Sequence, residues 1–267
     1  MSASPARAVR PLVTRLFPPG AERVYPPVIG ACRVAFKALD ITIKVEGAHH
    51  VPRSGPAVMA INHVSYLDFI FAGWGAQDSK RLVRFMAKDA VFKHRVSGPL
   101  MRGMKHIPVD REAGSHSYRE ALKALRGGEI IGVFPEATIS RSFTVKELKN
   151  GALRMAAATK APLLPVALWG GQRLWTKGQP KHLTQRHVPV LVYVGEPIHP
   201  ARTDDPVAAA AELRTRMQAL LDRAQQDYPA RPSGPDDRWW LPAHLGGTAP
   251  LPEEARRLDE ADRAPVS

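Results

Sequence analysis

One cysteine, Cys32, stands in the 267 residues. A chain with a single thiol forms no internal disulfide and offers no cysteine-based zinc cluster, so a reducing compartment suits it. Long apolar runs are missing as well: no stretch of about 18 or more uncharged apolar residues occurs, which excludes an obvious membrane-spanning helix. The first residues, MSASPARAVRPLVTRLFPPG, lack the continuous apolar centre of a secretory signal. Aromatic residues make up only 7%, and no zinc-finger or RNA-binding signature accompanies the basic ones, which argues against nucleic acid as a partner. Acidic residues are in deficit, 25 against 38 Lys and Arg, for a net charge of +13. The favoured partners are therefore anionic, such as an acidic membrane surface or a phosphorylated substrate. The charge is uneven: residues 80–111 hold nine Lys and Arg against two acids, whereas 201–267 hold nine against twelve.

What is present is 44% hydrophobic residues in a length that suits one α/β domain with appendages. Residues 1–40 read as a basic segment followed by an amphipathic helix. In PPVIGACRVAFKALD, Arg33 and Lys37 share a helical face while Val28, Ile29, Cys32, Phe36 and Leu39 supply apolar surface for the lipid interface or for the protein's own core. Residues 41–228 alternate strand and helix patterns, with ITIKVEG, PAVMAIN, RLVRFMAK, KHIPVD, EIIGVF, PLLPVAL and VPVLVYVG as strands. Between them, Ser117 and Glu120 offer a capping box, VKELKNGALRMAAAT reads as a helix, and Asp205 with Pro206 starts a long one. The alternation predicts a sheet flanked by helices, taken as a mixed sheet. Residues 229–267 are rich in proline and read as an extended, flexible tail pinned at Trp239 and Trp240.

INHVSYLDF, residues 61–69, places His63 five positions ahead of Asp68 between apolar stretches. As a helix start, Ser65 and Asp68 fit a capping pattern. As chemistry, a histidine just ahead of a helix can meet a carboxylate in its first turn, because helical side chains lean toward the N-terminus. A carboxylate on one ring nitrogen fixes the tautomer and leaves the other nitrogen to take a proton. No H-E-x-x-H or comparable spacing supports a metal site on His63, Asp68, His49, His50 or His106.

Three more segments put polar residues after strands or at helix starts: PVDR at 108–111, FPEATIS at 134–140 and LKNGALRMA at 148–156. NHVSYLD, IPVDR, FPEATIS and APLLPVAL occur in that order, and together they resemble the blocks of the glycerolipid acyltransferase family, which includes lysophosphatidic acid acyltransferases. The resemblance covers roughly residues 40–200 and implies a glycerol-3-phosphate acyltransferase-like fold. It also implies that His63 is the general base on an acceptor hydroxyl, with Asp68 holding the imidazole and no acyl-enzyme formed. Arg111, Glu136, Thr138 and Ser140 would bind the acceptor's glycerol phosphate. The donor would be acyl-CoA or acyl-carrier protein, no cofactor would be needed, and the enzyme would sit peripherally on the cytoplasmic face of an anionic membrane.

One departure bears on the acceptor. Where the family block reads G-T-R-S, this chain has Ala137-Thr138-Ile139-Ser140, and isoleucine binds no phosphate. Arg141, Lys146 or Lys149 would have to supply the charge, or the acceptor is another lysolipid or hydroxylated lipid.

Overall fold

A computed structural model describes residues 22–110 and 114–262. Seven strands form one mixed sheet in the order β1-β7-β6-β2-β5-β3-β4. They are β1 (Thr42–Glu46), β2 (Ala57–Ile61), β3 (Val83–Lys88), β4 (Ile107–Val109), β5 (Ile130–Val133), β6 (Leu163–Trp169) and β7 (Pro189–Val194). All neighbours run parallel except β6 and β7, which are antiparallel. Strands β2 (AVMAI), β5 (IIGV) and β6 (LLPVALW) are buried along their whole length, as expected for strands covered on both faces.

The alternating side chains of β2 divide the core. Val58 and Ala60 join one layer with Leu125 of α5 (Gly114–Arg126), Met155 of α6 (Gly151–Thr159) and Met217 of α7 (Pro206–Gln226). Ala57, Met59 and Ile61 join the opposite layer with Phe71 of α2 (Asp68–Ala72). The chain leaves β2 through α2 toward β3, and leaves β5 through α6 toward β6, so connections from two adjacent parallel strands diverge. Such a divergence opens a crevice at the strands' C-terminal ends.

Several local expectations meet a tertiary constraint. Helix α1 (Tyr25–Ala38) turns its apolar residues onto protein: Val28 and Ile29 pack with Phe92 of α3 (Asp89–Lys93) and Met101 of α4 (Ser97–Gly103), and Phe36 stacks on Phe71 at 5.3 Å. Val34 is left 72% exposed. Ser117 is not a cap, because α5 already begins at Gly114, and its Oγ donates to Pro108 O at 2.7 Å. The helix expected from Val145 begins only at Gly151, since the preceding N–H groups are bonded elsewhere: Val145 N to Gln218 Oε1, Lys146 N to Glu136 Oε2 and Lys149 N to Pro135 O. Asp205 caps α7 as expected, its carboxylate accepting from Val207 N and Ala208 N.

Residues 229–262 do not form an extended tail. Trp240 is fully buried in the main core beside Tyr228, with the Arg173 guanidinium 4.6 Å from its ring centre, and the segment ends in α8 (Pro252–Ala261). Proline-rich composition suggested disorder, but one large buried indole outweighs it.

Candidate active site

The crevice is furnished by the loops after β2 and β5. At the end of β2, Asn62 continues the sheet with its side chain: Oδ1 accepts from Leu168 N at 2.6 Å and Nδ2 donates to Leu168 O at 3.1 Å. This anchors the next residue, His63. Asp68 opens α2 and is 1% exposed. Its Oδ2 accepts from His63 Nδ1 at 2.9 Å and from the backbone N–H groups of Val64 and Ser65, each at 2.7 Å. Since that oxygen accepts, the proton is assigned to Nδ1 and the lone pair to Nε2. Burial pushes the Asp68 carboxyl up from its usual value, while His63 and the two backbone N–H groups pull it back toward the ionised form. Phe134, at the end of β5, stacks on the imidazole at 4.3 Å.

Ser65 does not cap α2, whose N-cap residue is Leu67. Its fully buried hydroxyl lies 3.0 Å from Gly171 O and 2.8 Å from Trp175 O, and accepts from Leu67 N at 3.1 Å. Thr176 Oγ1 donates to Val64 O at 2.7 Å. The 170–176 segment therefore clamps the histidine loop from behind.

Glu136 and Ser140 turn inward. Glu136 is 5% exposed; Oε1 accepts from His63 N at 2.8 Å and Oε2 from Lys146 N at 3.0 Å. Burial drives its carboxyl up to about 8 against these two N–H groups. Ser140 is fully buried, donates to Thr144 O at 2.7 Å, and returns its backbone N–H to His63 O at 2.7 Å. Both residues are bonded to the His63 backbone from within the protein, where the loop that holds them must close over its own backbone groups. Ala137, where the resembling block carries glycine, has a φ of 62°, the left-handed region that glycine enters freely.

Thr138 is partly exposed, and its Oγ1 accepts from Lys146 Nζ at 2.6 Å. Ile139 is buried. Arg141 is committed to carboxylates, with Nη2 2.8 Å from Asp262 Oδ2 and Nε 3.5 Å from Asp259 Oδ1. Lys149 is exposed. Arg111 lies outside the described residues. Asn62, Phe134, Lys146 and Asp259 are the contributors to the site that motif reading gave no part or only a provisional one. Asn62 and Phe134 had a signal in their places inside the quoted blocks and Lys146 in its charge near Ile139, whereas Asp259 had none.

An apolar cavity of about 260 Å³ opens between α1, α2 and α4, lined among others by Tyr25, Ile29, Phe69, Trp74, Leu100 and Met104. Phe69 directly follows Asp68 and meets Phe85 edge-on at 6.2 Å, and Phe85 lies 6.4 Å from Phe134. The cavity and the imidazole thus share one chain of aromatic rings. Among the described residues no group of three or more His, Cys, Asp or Glu is placed to hold a metal, and no helix is long and apolar enough to cross a membrane.

A tautomer-fixed imidazole, joined to an apolar cavity by a run of aromatic rings, suits proton removal, and a family profile described as Acyltransferase matches residues 42–169. The chain belongs to this acyltransferase family. It is 33% identical over 194 residues to the 1-acyl-sn-glycerol-3-phosphate acyltransferase of Bacillus subtilis, an overlap of 69% of this chain and 90% of that one. It is 27% identical over 184 residues to the chloroplastic 1-acyl-sn-glycerol-3-phosphate acyltransferase of Arabidopsis thaliana, of which it spans 49%. In fold it is similar to the crystal structure of the 1-acyl-sn-glycerophosphate acyltransferase PlsC of Thermotoga maritima, with a TM-score of 0.62, 22% identity, and coverage of 77% of this chain and 81% of that one.

Proposed function

We propose that this enzyme moves a fatty acyl group from an acyl thioester, acyl-CoA or acyl-carrier protein, to the free hydroxyl of lysophosphatidic acid, giving phosphatidic acid. The single observation that carries the reading is the His63 Nδ1 to Asp68 Oδ2 hydrogen bond at 2.9 Å. It leaves Nε2 free to take the proton of the acceptor hydroxyl. The alkoxide oxygen then bonds to the thioester carbon, the C–S bond breaks, and the departing thiolate takes the proton from the imidazolium. Asp68 stabilises the transient positive ring. The buried Ser65 hydroxyl takes no covalent part, and the reaction so written needs no cofactor.

The apolar cavity is the natural seat for an acyl chain, since its walls offer hydrocarbon little but carbon. Thr138, Lys149, Arg141 and Arg111 are the groups assigned to the acceptor's phosphate, guanidinium forks being suited to phosphate oxygens. Glu136 and Ser140 serve the acceptor indirectly, through the backbone of His63. The names of the Bacillus subtilis and Arabidopsis thaliana relatives support this acceptor. A second reading, acyl transfer to another lysolipid, is favoured by Ile139 in place of a cation and by the engagement of Arg141 with Asp259 and Asp262. Docking is taken as peripheral, on the cytoplasmic face, through the basic surface around residues 80–111, with 41–228 as the acyltransferase domain.

The test is mass spectrometry of the lipid formed by purified protein from labelled acyl-CoA and a mixture of lysolipids. Phosphatidic acid is the expected product; a different labelled lipid overturns the acceptor, and none overturns the reaction. Binding to anionic vesicles should weaken with added salt.

A further inference from the structure

The cations nearest the acceptor loop are organised from the far end of the chain. Asp259, in the last turn of α8, is only 5% exposed. Its Oδ2 accepts from Lys146 Nζ at 2.5 Å, and its Oδ1 lies 2.7 Å from Lys177 Nζ and 3.5 Å from Arg141 Nε. Asp262, one turn on, accepts from Arg141 Nη2 at 2.8 Å and lies 2.7 Å from Lys177 Nζ. Burial opposes ionisation of Asp259, yet Lys146 and Lys177 outweigh it and hold the carboxyl below the usual carboxylate range.

Lys146 is the hinge between this cluster and the imidazole. Its Nζ also donates to Thr138 Oγ1 at 2.6 Å, and its backbone N–H bonds Glu136, which accepts from His63 N. Without Asp259, three half-buried cations would face one another across a few ångströms and repel. With Asp259 and Asp262 among them, three positive charges meet two negative ones, so the cluster, which Lys146 joins to Thr138, carries one net positive charge. The family profile ends at residue 169, well before α8.

We infer that Asp259 is a positioning residue for the acyl acceptor: it gathers Lys146, Arg141 and Lys177 beside Thr138 so that the loop offers net positive charge to the acceptor's phosphate. This rests on the acceptor reading given above. The opposite role, in which the helix carboxylates occupy the cations in place of phosphate and obstruct the acceptor, predicts the opposite kinetic sign.

The experiment compares kcat and KM for lysophosphatidic acid and for acyl-CoA in the wild type, Asp259→Asn, Asp259→Glu, Lys146→Gln and the Asp259→Asn/Lys146→Gln double variant, with thermal melts of each. Asp259→Asn should raise the acceptor KM about tenfold while the donor KM stays within about twofold. Asp259→Glu should recover most of the loss, and the double variant should cost less than the two singles combined, because they share one interaction. An acceptor KM that falls, or that rises no more than the donor KM, overturns the inference. If Asp259→Asn does not fold, Lys177→Met carries the test and should raise the acceptor KM about threefold; no rise overturns it. A wild type that acylates lysophosphatidic acid while these variants leave its KM unchanged defeats the inference and spares the function. A wild type that acylates only another lysolipid defeats the acceptor reading, and Asp259 is then judged on the KM of the lysolipid accepted.

Discussion

Two loops leave the C-terminal ends of neighbouring parallel strands, and they use their polar residues in opposite ways. The loop after β2 aims its histidine outward and keeps the partner, Asp68, within five residues, so the pair forms inside one loop and the first turn of a helix. The loop after β5 carries three polar residues in FPEATIS, yet two of them turn inward, Glu136 to the His63 N–H through its carboxylate and Ser140 to His63 O through its backbone N–H. On the proposed mechanism, the difference teaches that a motif residue can serve chemistry without meeting the substrate. A base needs a fixed backbone beneath it, and a buried carboxylate that accepts two N–H groups from separate segments is an economical way to supply one.

The comparison breaks first at His63. Replacing it with alanine should lower acyl transfer by ~10²–10⁴-fold with the fold intact, because a proton acceptor contributes that much and a part-exposed loop histidine adds little packing. Asp68→Asn should be nearly as damaging, since the amide cannot hold the same tautomer through the same oxygen and also stabilise an imidazolium. Turnover by a folded His63→Ala protein at the wild-type rate would remove the division of roles between the loops.

The bracing role of Glu136 has a weaker but distinctive signature. Its carboxyl titrates at about 8 when folded and near 4.5 when exposed. Between those values the unfolded chain has released a proton that the folded one keeps, so stability should fall as pH rises through the window and level off above it. The slope is at most about 1.4 kcal/mol per pH unit. Glu136→Gln should flatten that part of the melting-temperature profile and also destabilise the protein by about 1–3 kcal/mol, since the amide nitrogen would face one of the two backbone N–H groups that Oε1 and Oε2 now accept. A profile whose slope survives in Glu136→Gln would assign the titration elsewhere.

The smallest effect concerns the turn between these residues. Ala137 holds a φ of 62° with its Cβ in place, which costs about 1 kcal/mol relative to glycine. Ala137→Gly should therefore raise stability by roughly that amount and leave kcat unchanged. A lower melting temperature would show that the strain is absent or that the alanine methyl packs usefully.

The strands, the long helix behind Asp205, and the meeting of His63 with Asp68 were all legible in the sequence, for one physical reason. Each depends on residues a few positions apart: strand burial on a short apolar run, a cap on an aspartate ahead of a proline, an imidazole on a carboxylate five residues on at a helix start. The family resemblance extended this reach by recognising four local blocks in order. What only the tertiary structure decided is where those blocks point. Ser65 fits a capping pattern, but its hydroxyl is taken by Gly171 and Trp175. Arg141 stands two residues beyond Ile139, but its guanidinium is held by Asp259 and Asp262. The residues after Tyr228 have the composition of a loose tail, but Trp240 carries them into the core and brings Asp259 to Lys146. These outcomes turn on partners roughly 80 to 120 positions away in sequence. No local pattern encodes such contacts, because burial and charge pairing are settled by which surfaces the packed sheet brings together.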